Sequence, residues 1–256
     1  MSETPLKVWL DQDDKLLRLR LSRPKANIID AAMISALQTA FDKHLSSARL
    51  HAVLLDSEGP HFSFGASIEE HMPGACVEMI NQMHSLIMKI VESTVPVLVA
   101  VRGQCLGGGL EVAAAGHFIF AAPSAVLGQP EVKLGVFAPP ASCLLPEKIG
   151  PSHAEDLLFS GRVIAAAEAY RIGLVNVVAE DPEKAALSYF QEFLAPLSAS
   201  TLRFAVRAAR ITLTERIKFR LDSVKKIYLE ELMASHDAVE GLEAFIAKRP
   251  AVWEDR

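Results

Sequence analysis

Val97-Leu-Val-Ala-Val101 is a short, wholly apolar, β-branched run of the kind that fills a buried strand, and Gly103 just beyond it permits a sharp turn. The residues that follow, Cys105-Leu106-Gly107-Gly108-Gly109-Leu110-Glu111, open a helix predicted to run through Glu111 to Ala115. Three glycines let the backbone approach a ligand with no Cβ in the way. The first amide N–H groups of such a helix have no intrahelical acceptor and lie at its positive end, so they can hold an anionic oxygen. The same glycines would also serve a helix that merely packs closely on a sheet. The spacing from Gly103 does not fit a dinucleotide fingerprint, and no Gly-Lys-Ser/Thr follows to make a phosphate-cradling loop.

A second carboxyl lies twenty residues beyond Glu111, in Gly128-Gln-Pro-Glu131-Val-Lys-Leu-Gly135. Each glutamate alone reads as readily as a solvated surface group. The neighbours argue otherwise: Val112-Ala-Ala-Ala115 and the Val132 to Phe137 stretch are largely apolar, and a carboxyl in an apolar wall has a raised pKa suited to proton transfer. A further backbone donor is expected from His61-Phe-Ser-Phe-Gly-Ala-Ser67, a loop that follows a strand and a Gly59-Pro60 turn.

Outward from this centre, Leu16-Leu-Arg-Leu-Arg-Leu21 reads as a half-buried strand, and His51-Ala-Val-Leu-Leu-Asp56 as a buried one. Ala31 to Leu45 and Cys76 to Val91 carry apolar residues at helical spacing. Strand alternating with helix predicts an α/β fold built on a largely parallel sheet. From Pro182 to Lys248 the pattern is helical throughout, so the boundary falls between Val178 and Pro182, dividing 1–180 from 181–256.

Composition excludes several classes. With 256 residues, 50% of them hydrophobic, and a mean hydropathy of +0.23, the chain can bury a large core. Its 26 basic and 31 acidic residues leave a net charge of −5 with no long basic run, so no nucleic-acid partner is expected. The three cysteines, Cys76, Cys105 and Cys143, are odd in number and far apart, which fits a reducing compartment. Met1 to Arg20 is charged and has no apolar core, and no stretch approaches the ~20 apolar residues of a membrane span, so a cytoplasmic protein without a membrane partner is expected. No metal site is expected, because His-Glu-x-x-His and paired-cysteine spacings are missing. His117, in an apolar run, reads as a core histidine.

Taken together, Phe64-Gly-Ala-Ser67, Cys105-Leu-Gly-Gly-Gly-Leu-Glu111, Gly128-Gln-Pro-Glu131, Ser160-Gly-Arg162 with Ala167-Glu-Ala169, and Gly173-Leu-Val175 resemble the crotonase (enoyl-CoA hydratase/isomerase) superfamily. The resemblance extends from Arg23-Pro-Lys25 to Glu240-Gly-Leu-Glu-Ala-Phe245 and Lys248-Arg-Pro250. It implies a crotonase fold of repeated β-β-α units with a helical C-terminal region that forms trimers, often paired into hexamers. It also implies that a thioester carbonyl sits between the N–H groups of Ala66 and Gly108, and that Glu111 and Glu131 flank a water. Isomerases and decarboxylases of the family commonly lack one of the two carboxyls, so the pair favours hydration, with Glu111 taking the proton from water and Glu131 supplying one to carbon. Lys25, Ala26, Phe64, Ser67 and Ile68 match positions that meet CoA, and Phe245 and Lys248 match positions that cover its adenine. CoA enters as part of the substrate, and no separate cofactor is implied.

Two departures bear on the acyl group. Ser67 replaces a usual aspartate, and Gly135-Val-Phe-Ala-Pro-Pro-Ala-Ser-Cys143 replaces a glycine-rich segment that lines the acyl pocket in relatives, so Pro139-Pro140 is expected to stiffen a loop there. The segment from His71 to His84, with Met72, Pro73, Met79 and Met83, either roofs a bulky planar acyl group or is a plain core helix. Arg23 to Asp30, Val101 to Leu106 and Val136 to Cys143 resemble the members that hydrate a cyclic dienoyl thioester in anaerobic aromatic breakdown. On that resemblance water adds in a 1,4 sense to cyclohexa-1,5-diene-1-carbonyl-CoA, giving 6-hydroxycyclohex-1-ene-1-carbonyl-CoA. Ordinary 2-enoyl-CoA hydration, double-bond isomerisation, thioester or ring hydrolysis, and acyl-CoA binding without turnover are the alternatives.

Overall fold

A computed structural model describes residues 4–256. Strands β1 (Leu6–Asp11) and β2 (Leu16–Leu21) pair antiparallel, with Leu6 opposite Leu21. The chain then enters α1 (Ala31–His44), whose start is fixed by Asp30 accepting the Met33 N–H at 2.9 Å. It returns as β3 (Ala52–Ser57), parallel to β2. Helix α2 (Cys76–Val91) leads to β4 (Val97–Val101), parallel to β3 with Val53 opposite Val97.

Beyond β4 the chain makes a short strand, β5 (Gln104–Leu106), then helix α3 (Gly108–Ala115) and β6 (Phe118–Ala121). Strand β7 (Val126–Gly128) runs beside β5, and a 3-10 turn, Pro130–Leu134, precedes α4 (Pro139–Ser160). Strand β8 (Val163–Ala165), helix α5 (Ala166–Arg171) and β9 (Val177–Val178) follow. The large sheet has the order β1-β2-β3-β4-β6-β9, and β5-β7-β8 form a smaller one. The largely parallel α/β sheet expected from sequence is present, and α2 has the predicted limits. Strands β1, β6 and β9 and the small sheet were not anticipated: β1 is mostly exposed, β6 continues the apolar run of α3, and the others are only two or three residues each.

After β9 the chain is helical, as expected, with α6 (Pro182–Tyr189), α7 (Ala199–Lys226) and α8 (His236–Ile246). Ala186, Phe190, Leu194, Leu202 and Val206 cover one sheet face, where they meet Leu16, Leu54, Leu98 and Phe120. The opposite face carries the main core, with Phe41 of α1, Ile87 of α2, Val112 of α3 and Leu145 of α4 all fully or almost fully buried. The expectation of a stiffened loop at Pro139-Pro140 is corrected: both prolines lie in the first turn of α4. A proline suits that turn, where its missing N–H would have had no intrahelical acceptor.

Candidate active site

Helix α3 is fully buried and starts at the end of β5, which holds its first N–H groups against the loop from His61 to Ser67. Gly107 caps the helix with φ 49° and ψ −129°, a backbone conformation that an L side chain rarely adopts. A Cβ on Gly107 would stand 2.7 Å from Glu131 Oε1, and one on Gly108 would stand 3.1 Å from the Ala66 nitrogen. The backbones of Ala66 and Gly108 therefore approach each other closely, and a side chain at Gly108 would crowd the Ala66 backbone. Gly109 does what the packing alternative required, since a Cβ there would lie 2.5 Å from Ser63 Cβ. Gly109 thus serves the packing reading, while Gly107 and Gly108 bring the start of the helix close to Glu131 and Ala66.

At the other end of α3, Arg210 donates to the Ala115 and Gly116 carbonyls at 3.1 and 2.9 Å, and Lys148 Nζ donates to Gly116 O at 2.9 Å. The Arg210 cation on the terminal carbonyls complements the helix dipole whose positive end faces Ala66, while burial and the Arg210 charge lower Lys148 to about 7. His117 is half-buried and structural as expected, its Nδ1 accepting the Val97 N–H at 3.0 Å, but its Nε2 is buried without a partner among the described residues.

Glu111 is 4% exposed, and its Oε1 accepts the Ala141 N–H at 3.0 Å. Burial raises its pKa above the ordinary carboxylate range, and the Ala141 bond opposes the rise. Burial likewise raises Glu131, and the neighbouring Glu111 charge raises it further. The two carboxyls compete for ionisation, and the backbone donor favours Glu111 as the one that ionises first. Gln129, 1% exposed, secures the other: with its amide turned so that both ends find partners, Nε2 donates to Glu131 Oε1 at 3.0 Å and Oε2 at 3.1 Å.

Both glutamates, Ala66 and Gly108 line one cavity of about 860 Å³. Its wall also includes Ala26, Phe64, Ser67, Ile68, Phe245 and Lys248, which brings together the residues expected at the CoA end. Lys25 is the exception. It is exposed and off the wall, because buried Asn27 ties this turn inward, accepting the Arg23 N–H at 2.9 Å and donating to Glu58 O and His61 O at 3.0 Å. Arg23 reaches the wall instead, paired with Asp30 at 2.5 Å.

Met79 and Met83 are 4% and 2% exposed and line the cavity, so they are both core and roof, whereas Met72, Pro73 and His84 are not on the wall. Sequence reasoning missed the supporting roles of Gln129 and Ala141. Gln129 stood inside a quoted motif two residues before Glu131, but Ala141 acts through its backbone, which residue type does not reveal.

The family model for enoyl-CoA hydratase/isomerase matches residues 11–256. The chain belongs to the enoyl-CoA hydratase/isomerase, or crotonase, family and has its fold. Over the full length of both chains it is 65% identical to the cyclohexa-1,5-dienecarbonyl-CoA hydratase of Thauera aromatica. It is 32% identical, again over both full lengths, to the carnitinyl-CoA dehydratase of Salmonella typhi. An enoyl-CoA hydratase/isomerase structure from Pseudoalteromonas atlantica T6c superposes with a TM-score of 0.86 at 26% identity, covering 97% of this chain and 99% of that one. An enoyl-CoA hydratase structure from Bacillus halodurans, at 20% identity, gives the same TM-score of 0.86 over 94% and 99% of the two chains and shares the fold.

Proposed function

We propose that the protein is an acyl-CoA hydratase that adds water in a 1,4 sense to cyclohexa-1,5-diene-1-carbonyl-CoA, giving 6-hydroxycyclohex-1-ene-1-carbonyl-CoA. The observation that carries this reading is the pair of buried carboxyls, one held by the Ala141 N–H and the other by Gln129, on the same cavity as Ala66 and Gly108. The full-length similarity to the Thauera aromatica hydratase supports the choice of substrate.

In this mechanism the thioester oxygen lies between the Ala66 and Gly108 N–H groups. Ionised Glu111 takes a proton from water as the water oxygen attacks the β-carbon. The electron pair moves through the conjugated diene onto the thioester oxygen, where the two N–H groups stabilise it, one such donor being worth about 3 kcal/mol. Collapse of the dienolate takes a proton from Glu131 at the far end of the diene. Proton transfer by each carboxyl contributes on the order of 10²–10⁴ in rate. The wall of Met79, Met83, Val136 and Phe137 suits a flat apolar ring.

CoA belongs to the substrate, held along Ala26, Phe64, Ser67 and Ile68 and under Phe245 and Lys248, and no further cofactor or metal takes part. The reading places the enzyme in the cytoplasm, within anaerobic breakdown of aromatic compounds. All three cysteines are free and buried, and no helix among the described residues is long and apolar enough to cross a membrane. Phe204, Ile211 and Phe219 of α7 are 65%, 63% and 74% exposed, and such apolar exposure supports assembly as a homotrimer or dimer of trimers.

Incubation with the cyclic dienoyl-CoA and, separately, with crotonyl-CoA tests the reading. Conversion of the diene to the 6-hydroxy product with crotonyl-CoA untouched is the expected outcome. Turnover of crotonyl-CoA alone would make the protein an ordinary 2-enoyl-CoA hydratase, and release of free CoA would make it a hydrolase.

A further inference from the structure

His71 ends the 3-10 turn Glu69–His71, five residues after Ala66. Its Nδ1 lies 2.7 Å from Ser67 O. A carbonyl oxygen can only accept, so Nδ1 carries the ring proton and Nε2 is left as a bare acceptor. Burial holds the pKa of His71 below the ordinary imidazole value, which keeps the ring neutral. His71 lines the same cavity as Glu111, Glu131, Met79 and Phe137, and no protein group bonds Nε2 among the described residues. A fixed acceptor on the cavity wall recognises a ligand that brings a donor.

The two sides of the proposed reaction differ in this respect. A cyclohexadienyl ring carries no hydrogen-bond donor, whereas its hydrated product carries one hydroxyl. We infer that His71 Nε2 accepts a hydrogen bond from the hydroxyl of the hydrated acyl ring, and so selects a hydroxylated cyclic acyl-CoA over its deoxy counterpart. The inference rests on the hydratase reading above. His71 is then a specificity residue: it holds the alcohol, while the carboxyls move the protons. Once Glu111 has taken the proton from water it donates to the hydroxyl oxygen, which leaves the hydroxyl hydrogen for His71, while Glu131 is engaged with Gln129.

The test compares dissociation constants of 6-hydroxycyclohex-1-ene-1-carbonyl-CoA and cyclohex-1-ene-1-carbonyl-CoA, which lacks only the hydroxyl. Measurement in a Glu131→Gln background prevents turnover of the alcohol. Adding His71→Leu is expected to weaken the alcohol about tenfold, the worth of one hydrogen bond, and to leave the deoxy thioester within about twofold. His71→Gln, which keeps an acceptor, is expected to restore most of the loss. Equal weakening of both thioesters would reduce His71 to a prop for the Ser67 loop and overturn the inference, as would no change in either. Failure of the His71-containing protein to bind either cyclic thioester would refute the substrate reading itself, a result distinct from both.

Discussion

The Ala141 N–H donates to Glu111 Oε1 at 3.0 Å across thirty residues of chain. The bond exists because α4 begins with Pro139 and Pro140, which have no N–H, so Ala141 supplies the first amide at the positive end of that helix. An ionised Glu111 is stabilised there, and the neighbouring Glu131 is left holding its proton. On the proposed reading the base and acid differ in surroundings and not in residue type: the Ala141 N–H holds Glu111, and the Glu111 charge raises Glu131.

Replacing either carboxyl by its amide removes proton transfer while keeping shape. Glu111→Gln and Glu131→Gln are each expected to lower kcat by about 10²–10⁴, with KM for the thioester changed far less. Steady-state kinetics on the cyclic dienoyl-CoA checks this. A loss confined to KM would mean that the carboxyls only bind substrate.

Activity needs one carboxyl ionised and the other protonated, so kcat/KM is expected to be bell-shaped, with both limbs above the ordinary carboxylate range because burial raises both groups. Stability follows the same linkage. A folded-state pKa raised above the unfolded one means that the folded chain binds more protons, so this contribution is complete below the ordinary carboxylate range and is lost as pH rises through the raised values. Thermal melts across pH should show wild type losing stability on the alkaline side more steeply than the Glu131→Gln variant. Parallel curves would place the Glu131 charge in solvent.

The sequence made the chemistry more legible than its support. Glu111, Glu131 and Gly108 lie in motifs that fix backbone shape at short range, Ala66 was reached through the family resemblance, and all four meet on one cavity; α2 was legible because sixteen residues give its period four turns to appear. That Lys25 lies off the wall was not legible, because its exposure depends on the buried Asn27 side chain, whose partners Glu58 and His61 are more than thirty residues away. The Pro139-Pro140 pair was read as loop because two prolines in succession usually stop regular structure, whereas here they start it.

Gly107 is expected to tolerate no side chain. In Gly107→Ala the new Cβ would lie 2.7 Å from Glu131 Oε1, on a backbone with φ 49°. The clash can be relieved only by moving the carboxyl, and backbone strain of about 1–3 kcal/mol adds to it. Activity should fall at least about tenfold with binding of free CoA preserved, as calorimetry beside kinetics would reveal. Unchanged kcat would mean that Glu131 has slack.

The C-terminal segment supports the same carboxyl from behind. Trp253 packs on Gly135 and Gly241, where a Cβ would meet its ring at 3.2 and 2.9 Å, and Asp237 accepts the Glu254 and Asp255 N–H groups at 2.8 Å. Gly135 closes the turn that carries Glu131. Trp253→Ala is expected to cost about 1–2 kcal/mol of stability, the ring being partly exposed, and to lower kcat more than it raises KM. A melt with unchanged midpoint would contradict the packing.

The most direct test of the central claim is hydration of cyclohexa-1,5-diene-1-carbonyl-CoA in deuterated water, with the product read by NMR. Addition in the 1,4 sense predicts the hydroxyl on C6 and one deuterium on C3, across the ring from it. Deuterium on the carbon next to the hydroxyl would mean 1,2-addition and would contradict the roles given to Glu111 and Glu131.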